Sequence, residues 1–276
     1  MDLFEKIKLI IETQGYNPFD IGNKKPIATG LFLTPNGAMS LHMASLDRPN
    51  DHELILPEDT FVYDAKFSPD DSWLVVPIDY SGKELHDLHR IPVGSSKRPV
   101  PLEKLSEQPG RTLFLDWSPD GSNIAWAVSR QKTNQVVKQP NKTGKAEYIL
   151  WSGEEMAFLV QWEHPDYLKL TKADGRTNQY HDVVIDPKTG EIILTLPIAP
   201  LNYYKGCWNP KKPIFPYVSL DDGRLSLYDM ESNESLQLPE IKGELEVTAW
   251  DATGVHLFVS ATVDARDTIY SIDVES

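Results

Sequence analysis

Eight polar residues spread over the chain could make one site if the fold gathers them: Tyr63, Asp64, Asp116, Gln161, Tyr203, Tyr204, Lys205 and Thr248. Carboxylates, phenols, an amide and an amine around one opening make a polar binding site. Two acids so placed would suit a lactonase or glycosidase. The stretch "NYYKG" at 202–206 joins two aromatic faces to a positive charge and suits a rim loop. His86 and His89, in "HDLH", stand three apart. On a helix they could share a metal; on a strand they point to opposite faces. The preceding "SGKEL" reads as a hairpin entering a strand, "LHRIPV", so no metal is expected there. The pairs Asp70–Asp71, Asp221–Asp222 and Asp264 with Asp267 fit turns, and no D-x-D-x-D-G calcium loop occurs. Cys207, the only cysteine, excludes an intramolecular disulfide and reads as a buried inert thiol beside Trp208. No cofactor, no metal and no catalytic residue is expected.

The elements that would position these residues announce themselves by repetition. "FSPDDSWLVV" at 67–76 returns as "WSPDGSNIAW" at 117–126. In each, Pro presets φ for a turn, Asp bonds its own backbone, and an apolar strand follows. A weaker copy starts at Leu33, and further ones start at Trp162, Trp208 and Trp250, so the steps are 34, 50, 45, 46 and 42 residues. A period in the forties with this signature marks a β-propeller. One blade cannot bury both faces alone, so a bulky side chain ending each inner strand should fill the wedge to the next. Phe67, Trp117, Trp162, Trp208 and Trp250 are therefore expected in the core.

The expected fold is all-β, a propeller of about six four-stranded blades over residues 16–276, with five or seven as alternatives. The first and last repeats show about three strands each, and "GYNPFDIG" or "PIATGLFL" could complete the final blade. Before the ring, Leu3, Ile7, Ile10 and Ile11 share one helix face. A short amphipathic helix over 1–15, stopped at Gly15, is expected to pack on the rim or to join two copies.

The totals exclude several partners. The chain has 276 residues with 27 basic and 41 acidic side chains, a net charge of −14. Such a surface repels nucleic acid and anionic membranes. The start lacks the apolar run of a secretory signal and no stretch is long enough to span a bilayer, so a cytoplasmic location is expected.

"DAKFSPDDSWLVVPIDYSGKELHDLHRIPV" (64–93) with "LDWSPDGSNIAWAV" (115–128) resembles the TolB-like propeller repeat. It is similar to the N-terminal propeller of prolyl-oligopeptidase-family serine peptidases such as acylaminoacyl-peptidases. That resemblance implies a propeller which limits access to an active site on a following α/β-hydrolase domain. The present sequence holds no G-x-S-x-G nucleophile elbow and leaves no room for such a domain after Ile269. Three readings follow: a non-catalytic scaffold for a protein or peptide, a propeller enzyme using funnel acids, or the gating part of a peptidase.

Overall fold

The computed structural model describes residues 16–33, 39–57, 60–80, 82–97, 100–174, 179–198, 202–203, 208–219 and 221–275. The helix expected over 1–15 lies outside them. The described secondary structure is all β, in six successive sheets.

The first sheet holds β1 (Tyr16–Ile21), β2 (Ile27–Leu33), β3 (Met39–Ser45) and β4 (Arg48–Leu54). The second holds β5 (Phe61–Val62), β6 (Lys66–Phe67), β7 (Trp73–Asp79), β8 (Asp87–Pro92) and β9 (Glu103–Lys104). There β5 and β6 are two halves of one interrupted strand, both paired with β7. The third comprises β10 (Arg111–Trp117), β11 (Asn123–Arg130), β12 (Thr133–Pro140) and β13 (Tyr148–Gly153). The fourth comprises β14 (Met156–His164), β15 (Tyr167–Asp174), β16 (Gln179–Ile185) and β17 (Ile192–Ile198). After the two-residue β18 (Asn202–Tyr203), the fifth sheet has three strands: β19 (Ile214–Val218), β20 (Leu225–Asp229) and β21 (Glu234–Gln237). The sixth runs β18, β22 (Glu244–Trp250), β23 (His256–Val263) and β24 (Arg266–Asp273). Six such sheets, antiparallel meanders apart from the pairing of β18, are the blades of a six-bladed propeller.

Three expectations need correction. Blades have three to five strands rather than a uniform four. The first blade starts at Tyr16, and Leu33 ends its second strand, not its first. "GYNPFDIG" and "PIATGLFL" therefore supply β1 and β2 of that blade, paired from Tyr16↔Phe32 to Ile21↔Ala28, and do not complete the last one. The reason is the turn at residues 22–26. It does the work of a Ser-Pro-Asp turn without containing one. Finally, β18 pairs in parallel with β22, Asn202↔Glu246 and Tyr203↔Val247, where antiparallel meanders alone were expected.

Contacts divide the chain into two compact units, residues 1–112 with 139–147, and residues 113–138 with 148–276. In the first, Phe67, Leu74, Val76 and Ile78 of the second sheet pack against Leu41, Phe19 and Leu31 of the first. In the second, Trp162, Leu168 and Val183 meet Ala125, Ala127 and Val136, while Trp208, Phe215 and Leu227 meet Val247, Leu257 and Val259. Phe67, Trp117, Trp162 and Trp208 are buried; Trp250 packs half-buried on the last cluster.

Turn chemistry explains the Ser-Pro-Asp repeats. Ser68 Oγ donates to Asp70 Oδ1 at 2.6 Å, and the Ser72 amide donates to the same oxygen at 3.1 Å. Ser118, Asp120 and Ser122 repeat the arrangement at 2.6 and 3.0 Å. These donors, Ser68 foremost, hold the Asp70 carboxyl down to about 2, and Ser118 leads in lowering Asp120. Asp71 does something different. It is fully buried, with φ +55°, and its carboxylate receives the amides of Asn23, Lys24 and Lys25 at 2.7, 2.6 and 2.7 Å. One blade's turn thus clamps the previous blade's turn. Gly22 is required here, because a Cβ would come within 2.6 Å of the Lys25 carbonyl oxygen. Burial pushes Asp71 up, but the three amides outweigh it and leave the carboxyl below its usual value.

Because Asp70, Asp71 and Asp120 are all lowered from 3.8, their stabilisation is complete above that pH and is lost as pH falls through the folded values. Acid titration followed by circular dichroism should show stability falling below about pH 4. Asp71→Ala should cost about 1–2 kcal/mol at neutral pH in urea unfolding and make the acid loss shallower.

Candidate functional site

At three junctions a carboxylate joins one blade to the next through the backbone amide of the repeat's aromatic residue. The Phe67 amide donates to Asp20 Oδ2 at 2.8 Å, the Trp162 amide to Asp116 Oδ2 at 2.8 Å, and the Trp208 amide to Glu163 Oε2 at 3.0 Å. In each case the acceptor lies on the first strand of the preceding blade. The register shift in β1 between Pro18 and Asp20 accompanies the first of these contacts.

This geometry bears on the acids expected to line a funnel. Asp116 is buried, and both its oxygens are engaged: Oδ1 accepts from the Trp117 amide at 2.9 Å and Oδ2 from Trp162. Asp64 is half-buried, and its Oδ1 accepts the amide of Ala65 at 2.8 Å. Tyr63 is 52% exposed, with its ring 4.6 Å from that of buried His86. Thr248 is half-buried at the register shift between Val247 and Ala249. Tyr203 belongs to β18, while Tyr204, Lys205 and Cys207 lie outside the described residues. Tyr63 and Asp64 belong to the first unit, and Asp116, Gln161 and Thr248 to the second.

Gln161 points to a feature that no sequence pattern announced. Its Oε1 accepts a hydrogen bond from Lys169 Nζ at 3.3 Å. Lys169 and Asp182, on β15 and β16, form an ion pair at 3.1 Å with both side chains at 0% exposure. Thr171 Oγ1 donates to Asp182 Oδ1 at 2.6 Å, and the Lys169 ammonium lies 5.4 Å from the centre of the Phe215 ring. Burial raises the Asp182 carboxyl, and the Lys169 charge opposes that rise. Alternation within "YLKLTKA" gives no hint that one of its lysines faces inward.

The histidines take separate partners. His86 Nδ1 accepts the Thr112 amide at 3.0 Å; His89 Nδ1 lies 3.1 Å from the Asp87 carbonyl. Burial lowers both imidazoles below 6.5. His52 and His42 meet Nδ1 to Nδ1 at 3.0 Å, so one must donate and the other accept. His52 also lines a recess of about 500 Å³ with Ile27, Met43, Asp51 and Glu53. Among the described residues, no group of three His, Cys, Asp or Glu side chains could hold a metal ion. No helix among them is long and apolar enough to cross a membrane.

Two outcomes follow for mutants. Asp182→Asn should destabilise by about 3–5 kcal/mol because it strands a buried ammonium, whereas the double change Lys169→Met with Asp182→Leu should recover most of that loss. Chemical denaturation of the three variants measures this. Since His86 and His89 are lowered, the unfolded chain takes up more protons near pH 6. Melting temperature should therefore fall as pH drops through about 6.5 toward 5, and His86→Gln should reduce that slope.

No family model matches the chain, and no curated protein matches its sequence. Among solved structures, it matches one from a structural and mechanistic study of two prolyl endopeptidases, concerned with inter-domain dynamics in catalysis and specificity. The TM-score is 0.71 at 16% sequence identity, over 98% of this chain and 42% of that one. The chain thus spans less than half the length of that enzyme, and the likeness is one of fold: a propeller of the kind found in prolyl endopeptidases.

Proposed function

We propose that this propeller is a non-catalytic scaffold that binds a protein or peptide. One observation carries the reading: Asp116, one of the two acids that the sequence offers for a funnel, spends both oxygens on backbone amides. A general acid or base must reach substrate. A carboxylate that fastens two blades is poorly suited to that, so the lactonase or glycosidase reading loses one of its two acids. Exposed Phe61, Tyr63, Tyr80 and Leu85 on the second blade leave large apolar side chains in solvent, as binding surfaces do. The proposed partner is a polypeptide, with nucleic acid and membrane disfavoured by the charge of −14. The proposed location is the cytoplasm.

The fold likeness favours a second reading, in which the propeller limits access to a peptidase active site carried on another domain. The two readings agree that the chain itself does no hydrolysis.

Panning a random peptide display library against the purified chain should enrich specific binders, and no turnover should appear with aminoacyl, lactone or glycoside reporters. Turnover that co-purifies with the chain and is lost in Asp64→Asn would sink the scaffold reading. Failure of any library to yield a ligand would do the same. Asp116→Asn is expected to lower stability by about 1–3 kcal/mol, because an amide NH₂ would face a backbone N–H.

A further inference from the structure

Among the described residues, the sixth sheet ends on a strand, β24, whose outer side is open. β24 follows β23 through a two-residue turn, Asp264–Ala265, with φ of 50° and 58°. In such a hairpin the flanking pair, Val263↔Arg266, exchanges both backbone hydrogen bonds. Arg266, Thr268, Tyr270 and Ile272 therefore turn their backbone groups toward β23. Asp267, Ile269 and Ser271 turn theirs away. The Val274 amide, which bonds the Val255 carbonyl at 3.0 Å, has the parity this requires. Among the described residues no strand pairs with that outer side, and residues 266–271 are all exposed, Ile269 to 68%. A groove of about 450 Å³ runs beside the hairpin, lined by Val263, Asp264, Arg266 and Thr268.

The two faces of this edge differ in chemistry. Tyr270 and Ile272 share a face with Val259 and Leu257, which are fully buried. Asp267 and Ile269 share the other with Thr262 and Ser260, and beyond them with Glu244 and Glu246 on β22. An added strand would thus extend an apolar face on one side and an acidic face on the other. A second copy of the chain suits this edge badly. Backbone parity allows self-pairing centred on Ile269 or on Tyr270. The Tyr270 register sets Asp267 against Asp273 twice, and the Ile269 register still brings two acidic faces together.

We infer that the outer side of β24 takes an extended peptide in which basic and apolar residues alternate, the basic ones beside Asp267 and the apolar ones beside Tyr270 and Ile272. The inference rests on the peptide-binding reading and gives it a place and a ligand class. Backbone hydrogen bonds would supply affinity and the alternating side chains register. The Glu246 carboxyl is raised, first by burial and then by Asp267 and Glu244, so a basic side chain beside Asp267 offsets part of a repulsion already present on this face.

A fluorescein-labelled peptide of about eight residues alternating lysine and isoleucine tests this by polarisation. It should bind the wild-type chain, weaken as salt rises, and outcompete both a same-composition peptide of blocked order and a glutamate–isoleucine peptide. Ile269→Pro removes one outward N–H and leaves the β23 ladder intact; it should weaken binding at least about tenfold with an unchanged circular dichroism spectrum. Asp267→Lys should weaken the lysine peptide and improve the glutamate one, and stands as the test should the proline variant unfold. Absence of binding to wild type overturns the inference. Binding untouched by both variants also overturns it but leaves the broader scaffold reading standing. A concentration-dependent dimer abolished by Ile269→Pro, or slow amide exchange at 267, 269 and 271 in the unliganded chain, shows the edge already occupied and overturns it as well.

Discussion

The fold depends on carboxylates that reach from one sheet to an amide of the next. A sheet in this chain is too small to bury its own faces, so it is stable only against a neighbour. Apolar packing supplies attraction without fixing register. The hydrogen bonds from Phe67 to Asp20, Trp162 to Asp116 and Trp208 to Glu163 supply the register. Each ties the large aromatic residue of one repeat to the first strand of the blade before it. Charge-assisted bonds to backbone N–H are among the stronger ones available, and burial makes their loss costly.

A second set of ties acts between turns. Asp71 clamps residues 23–25, and Asn209 Nδ2 donates to the Gly254 carbonyl at 2.7 Å. A Cβ on Gly254 would come within 2.5 Å of Asn209 Oδ1, so that glycine is required by close approach. The same residue types, acid or amide at a turn, therefore serve two purposes. Asp70 and Asp120 fold their own turns; Asp71 and Asn209 hold a neighbour's. Local sequence does not tell these apart, since Asp70 and Asp71 are adjacent.

That ambiguity marks how far sequence reasoning reaches. The aromatic and Ser-Pro-Asp repeat was legible because a tight turn restricts residue choice locally. The first blade was misplaced because its turn, "GNKK", is stabilised by Asp71 from nearly fifty residues away. The roles of Asp20, Asp116 and Glu163 were hidden for the same reason: the partner amide lies 45 to 47 residues distant. In retrospect the matching spacing of Asp20 to Phe67 and Asp116 to Trp162 was a usable signal. Lys169 and Asp182 left none, because alternation alone assigns a face but not what that face will meet.

The sealed ammonium of Lys169 has a practical reach of its own. Acylating reagents need solvent access to an amine, and this nitrogen has none while the fourth sheet stays shut. Surface lysines such as Lys188, at 73% exposure, would be labelled at once. Lys169 would then be modified only as fast as its sheet breathes, which makes the chain carry its own internal gauge of local opening, readable by mass spectrometry.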